Sequence, residues 1–132
     1  MNGRGRAACL PGFSLVELLI VVTILGILAT IAIPMVGRAA LRAREAALRE
    51  DLYALRQALE DFHLAHARYP ERLTELVEQR YLPGVPKDPI TTSAATWQII
   101  YDTDAAGQAA GILDVRSGSQ ATASDGQRYA DW

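Results

Sequence analysis

One apolar run near the start of the chain constrains this sequence more than any other feature. Residues 13–33 read FSLVELLIVVTILGILATIAI and contain a single charged side chain, Glu17. As a helix rising about 1.5 Å per residue, the run is long enough to cross the roughly 30 Å hydrocarbon core of a bilayer. A carboxylate near one end of such a span costs free energy that a passive anchor would avoid, so Glu17 predicts a partner of opposite charge.

The residues just before the run complete a more specific pattern. Residues 12–17 read GFSLVE, and this hexapeptide resembles the processing site of type IV pilins and type II secretion pseudopilins. In that family a prepilin peptidase cuts after the glycine and methylates the new amino terminus. The resemblance implies cleavage between Gly12 and Phe13, N-methylation of Phe13, and pairing of Glu17 with the terminal ammonium of a neighbouring subunit during assembly. Two opposite charges in a low-dielectric layer are less costly together than apart.

Three other interpretations of the N-terminal region stay open. A secretory signal cleaved after Ala32 would also combine basic residues with an apolar core, although the carboxylate of Glu17 inside that core argues against it. An uncleaved signal anchor fits the same hydropathy. The sequence Ala7-Ala8-Cys9 resembles a lipoprotein box, but no apolar segment precedes it.

Charge and cysteine content exclude several function classes. The sequence has 13 basic and 15 acidic side chains, and removal of residues 1–12 would take away Arg4 and Arg6 but no acid. An acidic mature chain gives no basic field for nucleic acid, so we expect no nucleic-acid partner. The single cysteine, Cys9, lies in the predicted leader, so the mature chain could form no disulfide. Many type IV pilins close a C-terminal loop with a cysteine pair, and this difference favours a pseudopilin.

Beyond the span, periodicity predicts an amphipathic continuation of the helix over residues 34–68. Charged side chains, including Glu45, lie mostly off an apolar stripe with helical spacing, which consists of Leu41, Leu48, Leu52, Leu55, Leu59 and Phe62. Pro34 would remove one backbone hydrogen bond without ending the helix. Tyr69-Pro70 would end it, since a residue before proline is displaced from the α region. A coiled coil stays open as an alternative for the stripe.

Residues 69–132 predict a small globular part. A short helix carries Leu73, Leu76 and Val77, and a Pro- and Gly-rich loop follows it. Strands are expected at 97–101 and 112–117, with a turn over 102–111 and a C-terminal loop from residue 118 held by Tyr129 and Trp132. The predicted class is α+β with the pilin fold: a long N-terminal α-helix, its first half transmembrane, packed on a small antiparallel β-sheet with a C-terminal loop.

Shorter motifs extend the resemblance to the major, G-type pseudopilin of type II secretion. They are Tyr69-Pro70, Leu82-Pro83, Pro86-Lys87-Asp88-Pro89, Asp114-Val115-Arg116-Ser117, Asp125-Gly126 and Asp131-Trp132. Ile90-Thr91-Thr92 departs from the family, which usually has Trp-Gly-Asn-Pro-Tyr after Lys-Asp-Pro.

The resemblance also implies a calcium ion in the C-terminal loop, held by carboxylate and carbonyl oxygens. By position the candidate ligands are Asp125, Asp131, Ser117 and, more weakly, Asp114. The interval between Ser117 and Asp125 differs from that of the family. The alternative that these aspartates are ordinary turn formers therefore stays open.

Catalytic chemistry is sparse in the sequence. His63 and His66 lie one helical turn apart near Glu60 and Asp61, which fits either a metal pair or a solvated helix face. No cysteine nucleophile would remain after processing, and no glycine-rich phosphate loop or partnered serine is recognisable. We therefore expect no enzyme.

The resemblance implies a structural subunit of a type II secretion pseudopilus, a homopolymeric filament that helps drive protein export. Its partners would be prepilin peptidase, minor pseudopilins and an inner-membrane assembly platform. It would cross the inner membrane once with a periplasmic C-terminal domain, although Arg38, Arg42, Arg44 and Arg49 after the span oppose the positive-inside rule. The alternatives are a type IV pilin for adhesion, motility or DNA uptake and, outside the family, a signal-anchored periplasmic binding or enzymatic domain.

Overall fold

The computed structural model describes residues 12–132, which form two compact units divided between Arg38 and Ala39. The other leader residues, with Cys9 and the lipoprotein-like sequence, lie outside the described part. Along the chain the elements are a long helix, a short helix, two strands and a 3-10 turn.

Helix α1 runs from Leu15 to His66, with Pro34 inside it. Proline cannot donate to the carbonyl of Thr30 four residues earlier, yet the helical backbone continues on both sides, as predicted. The helix ends where Ala67 adopts a positive φ of 54° and its N–H donates to the carbonyl of His63 at 2.8 Å. This end precedes Tyr69-Pro70, in agreement with the sequence.

The second unit has its core on the apolar stripe of α1. Buried side chains come from α1, the short helix, the hairpin and the tail: Leu48, Leu52, Leu55, Ala58, Leu59, Phe62, Leu76, Trp97, Ile112, Val115, Ala123 and Tyr129. Leu41 belongs to the stripe by spacing but is 41% exposed, so its predicted burial is wrong. The first buried residue of α1 is Glu45, and the core begins only there.

Helix α2 spans Leu73–Glu78, and strands β1 (Gln98–Thr103) and β2 (Ala109–Arg116) form an antiparallel hairpin. The ladder pairs Gln98 with Arg116 and reaches Thr103 and Ala109 through two register shifts. The turn is therefore shorter than the predicted 102–111. Strand β2 begins with Ala109, Ala110 and Gly111, which have low strand propensity, but pairing with β1 outweighs that propensity.

The C-terminal segment is a loop with one bridge, between Thr122 and Arg128, and a 3-10 turn at Tyr129–Asp131. Tyr129 is 2% exposed and its ring meets that of Trp132 edge to face, with centroids 5.3 Å apart. These two aromatics hold the tail as predicted. The α+β class is confirmed, and the long helix with a small antiparallel sheet is consistent with the pilin fold.

Candidate processing and assembly site

The Gly12–Phe13 peptide lies outside regular structure, ahead of the first residue of α1. Both residues are exposed, and Phe13 has 76% of its surface accessible. A Cβ added at Gly12 would meet no atom within 4 Å. The fold of residues 12–132 therefore makes no demand for glycine at this position.

Glu17 lies in the first turn of α1, where the carbonyl of Ser14 accepts the backbone N–H of Leu18 at 3.1 Å. Ser14 and Glu17 thus occupy the cap and third positions of a Ser-x-x-Glu helix start, and an acid there also complements the helix dipole. The Glu17 side chain is exposed and forms no ion pair with any residue among 12–132. Among the described residues, the carboxylate is therefore left without a basic partner.

An apolar surface surrounds this carboxylate. Large side chains from Leu15 to Val36 are exposed, each by 42% or more. Within the described part of the chain, α1 is the one helix long and apolar enough to cross a membrane, and none of its most apolar window is buried. Such a surface requires cover from lipid or from other protein chains.

The four candidate calcium ligands are engaged with different partners. Asp114 accepts from Arg56 at 2.8 Å, Asp131 pairs with Arg128 at 3.2 Å, and the Ser117 hydroxyl donates to Asp88 at 2.6 Å. Asp125 accepts the N–H of Gln127 at 2.9 Å, as in an ordinary turn. Residues 12–132 contain no group of three or more acidic, histidine or cysteine side chains suited to a metal. The set does not fit a shared ion, and calcium binding stays a prediction.

Glu45, which is predicted to lie off the apolar stripe, is instead buried at 2% exposure. Its carboxylate accepts the N–H of Ser124 at 2.7 Å, the Ser124 hydroxyl at 2.5 Å and the Tyr129 hydroxyl at 2.9 Å. The bonds from Ser124 are the main cause that holds the pKa of Glu45 below its ordinary value of 4.5, against the effect of burial. Glu45 therefore ties the C-terminal loop to α1. Position 45 has helical spacing with Leu41, Leu48 and Leu52, so it lies on the same side of α1. This spacing was the one signal in the sequence for the burial of Glu45.

Asp88 is a second buried carboxylate that the sequence did not reveal. It is fully buried and accepts from the N–H groups of Ile90 and Thr91 with one oxygen and from Ser117 and Gly118 with the other. It thus joins the loop before β1 to the chain after β2. The Asp-Pro sequence signalled a turn, but its link to Ser117 had no local signal.

Arg56 connects α1 to the hairpin and the tail. Its guanidinium donates to the Asp114 carboxylate at 2.8 Å and to the carbonyls of Val115 and Trp132 at 3.1 and 2.9 Å. The indole Nε1 of Trp132 is buried with no acceptor among the described residues.

His63 and His66 have separate aromatic neighbours. The His63 ring stacks on Tyr69 with centroids 4.2 Å apart, and His66 lies between Phe62 and Tyr81. Both imidazoles therefore pack against aromatic rings at the C-terminal end of α1. This geometry gives the metal-pair interpretation no support.

Comparison with known proteins gives one match. A family model described as the prokaryotic N-terminal methylation motif matches residues 11–33, which include Gly12, Phe13 and Glu17. No curated protein and no solved structure matches the chain. The chain carries the N-terminal signal of type IV pilin-like and pseudopilin precursors at the start of a long apolar helix.

Proposed function

We propose that this protein is a structural subunit of a type II secretion pseudopilus, made as an inner-membrane precursor and assembled into a filament that helps drive protein export. The observation that carries the proposal is the methylation motif over residues 11–33, with Glu17 exposed in the first turn of α1 and without an ion pair among residues 12–132. Such a motif is typical of structural subunits, and we propose no catalytic role for the chain.

Processing would come first. Prepilin peptidase would hydrolyse the bond between Gly12 and Phe13 and methylate the amino group of Phe13. The open space around Gly12 supports this step. Packing among the described residues does not require glycine at this position, so recognition by the peptidase is the reason that we propose for it.

Assembly would follow from the cost of an isolated charge. Glu17 lies near one end of an apolar segment. Placing an ionised carboxylate in a bilayer costs roughly 2.5–3.5 kcal/mol at the centre on insertion scales, and less toward the interface. Pairing with the N-terminal ammonium of a neighbouring subunit would remove most of that cost. The apolar helices of several subunits would then cover one another, with the second unit of each chain on the polar exterior.

The preference for a pseudopilus over a pilus rests on the sequence. A chain that starts at Phe13 has no cysteine for the C-terminal disulfide of many type IV pilins, and the motifs from Tyr69-Pro70 to Asp131-Trp132 resemble the major pseudopilin. Minor pseudopilins and an inner-membrane assembly platform would be its partners, with residues 39–132 in the periplasm.

The first experiment is the intact mass and N-terminal sequence of the protein extracted from membranes of its native host. A chain that begins at N-methylated Phe13 would support the precursor mechanism. A start at Met1 or after Ala32 would instead indicate a simple anchor or a secreted protein and overturn it.

Two glycine variants separate peptidase recognition from folding. Neither Gly12 nor Gly37 has a heavy atom within 4 Å of an added Cβ. We expect Gly12→Val to block cleavage and Gly37→Val to leave it unchanged.

The phenotype of a deletion strain distinguishes a pseudopilin from a type IV pilin. A secretion defect without a motility defect would indicate a pseudopilin.

A further inference from the structure

A cleft beside α1 in the second unit is not used by the processing site. It has a volume of about 380 Å³ and is lined by Arg49, Leu52, Tyr53, Arg56, Asp125, Gln127 and Trp132. Arginine, tyrosine and tryptophan are the side chains that most often dominate the binding energy of protein interfaces. The composition of the cleft therefore indicates a surface for another protein chain.

Arg49 determines which chemistry the cleft would bind. Its guanidinium lies over the Trp132 ring at 4.1 Å and approaches Asp125 only to 3.6 Å, while 56% of the side chain is exposed. Arg56 already donates to Asp114 and two carbonyls. Apart from its ion pair with Asp125, Arg49 forms no hydrogen bond with a side chain or backbone group among residues 12–132, so its planar fork keeps donors that match a carboxylate. An acidic side chain is the ligand that fits.

The same helix carries acids without basic partners. Glu50 and Asp51 follow Arg49 directly, and neither forms an ion pair within residues 12–132. Burial, followed by repulsion from Glu50 and Asp88, raises the pKa of Asp51. At 3.6 residues per turn, Asp51 points roughly 160° away from Arg49, so one copy cannot place its own Asp51 in its own cleft.

We propose that the cleft of one copy binds Glu50 and Asp51 of a second copy, with Arg49 as the main ion-pair partner. This inference rests on the proposed filament function. Because the cleft and the acids lie on different sides of α1, the contact is heterologous: each bound pair still offers one free cleft and one free acidic site. A contact of this kind extends into an open chain.

Disulfide cross-linking between two differently tagged chains tests the contact. One chain carries Gln127→Cys at the rim of the cleft and the other carries Glu50→Cys, and a chain processed after Gly12 has no other cysteine. Expressed together under oxidising conditions, they should give a mixed dimer in the filament fraction. Each expressed alone should give none.

Charge reversal tests the chemistry of the contact. Arg49→Glu in the cleft chain should lower the cross-linking yield about tenfold, the effect of losing roughly 1.4 kcal/mol of binding. Asp51→Arg in the other chain should restore most of it. The matched control places Arg49→Glu in the chain that carries Glu50→Cys, where the yield should stay nearly unchanged.

The outcomes separate the inference from the function. Normal wild-type filaments with no mixed dimer, or with dimers of one chain alone, would overturn the contact and leave the filament role intact. Loss of filaments in Arg49→Glu without any cross-link would assign the cleft to another partner and likewise overturn the contact. If the wild-type chain is never cleaved at Gly12 or forms no filament, the proposed function and this inference both fail.

Discussion

Replacement of Asp88 by asparagine should destabilise the second unit strongly although the two side chains have nearly the same shape. In the wild-type chain one carboxylate oxygen accepts the N–H groups of Ile90 and Thr91 at 2.8 and 3.3 Å. The other oxygen accepts the Ser117 hydroxyl at 2.6 Å and the Gly118 N–H at 3.3 Å. Asparagine has one acceptor oxygen, so its amide nitrogen must face one of these pairs.

The magnitude follows from which pair is lost. The Ser117 hydroxyl can rotate and accept from the new amide, whereas the Gly118 N–H is left facing a donor. A hydrogen bond to a charged group is worth about 1.5–3 kcal/mol, and the remaining bonds weaken when the charge is removed. We therefore expect Asp88→Asn to lower the free energy of unfolding by about 2–4 kcal/mol.

Tryptophan fluorescence during urea titration of the detergent-solubilised full chain measures this loss. Both tryptophans, Trp97 and Trp132, belong to the second unit, and Trp97 is buried with its Nε1 donating to the Pro86 carbonyl at 2.8 Å. The matched control is Asp104→Asn. Asp104 also accepts two backbone N–H groups, each at 2.9 Å, but it is exposed, so we expect a change within about 0.5 kcal/mol.

Equal stability of Asp88→Asn and Asp104→Asn would refute the reasoning, because burial would then add nothing to the cost. A double-mutant cycle with Ser117→Ala gives a further check. If Asp88 and Ser117 form one network, the two substitutions should depart from additivity by about 0.5–3 kcal/mol.

Three other predictions address the carboxylates and one close contact. Hydrogen bonds lower the pKa of Glu45 in the folded state, so its carboxylate should stabilise the fold fully above pH 4.5, the ordinary pKa of the group. This stabilisation should be lost as the pH falls through the lower pKa of the folded state. Glu45→Gln should remove that part of the pH dependence of the free energy of unfolding in urea titrations at about pH 3–6. Gly118→Ala would place Cβ 1.8 Å from the Thr96 carbonyl oxygen and should cost about 3 kcal/mol or more, whereas Gly84→Ala, with open space, should be nearly neutral in the same titration. Glu17→Ala should be inserted and cleaved yet be depleted from the filament fraction relative to membranes, and normal filaments from this variant would contradict the role of the charge.

The regular elements could be predicted because their signals lie within a few residues of one another. The spacing of Leu48, Leu52 and Leu55 defines the buried side of α1, and alternation and β-branched residues mark the strands. The errors lie at the ends of these patterns. Leu41 has the right spacing but no neighbour to cover it, and the hairpin ladder extends into alanines that propensity assigns to the turn.

The residues of the N-terminal site are close together in the sequence, whereas the residues that make the C-terminal contacts are far apart. Gly12, Phe13 and Glu17 fall within one hexapeptide, so their spacing survives in the sequence whatever the rest of the chain does. Glu45 meets Ser124 across 79 positions, and Arg56 meets Asp114 across 58. These groups meet only when the hairpin and the C-terminal loop pack on α1. The spacing of position 45 fits the buried side of α1, but an acid is assigned to solvent by its polarity, and neither polarity nor spacing can register a distant donor. The same limit applies to the calcium ligands. The family resemblance proposes Asp125, Asp131, Ser117 and Asp114 as ligands, whereas in the fold Asp114, Asp131 and Ser117 each have a partner of their own.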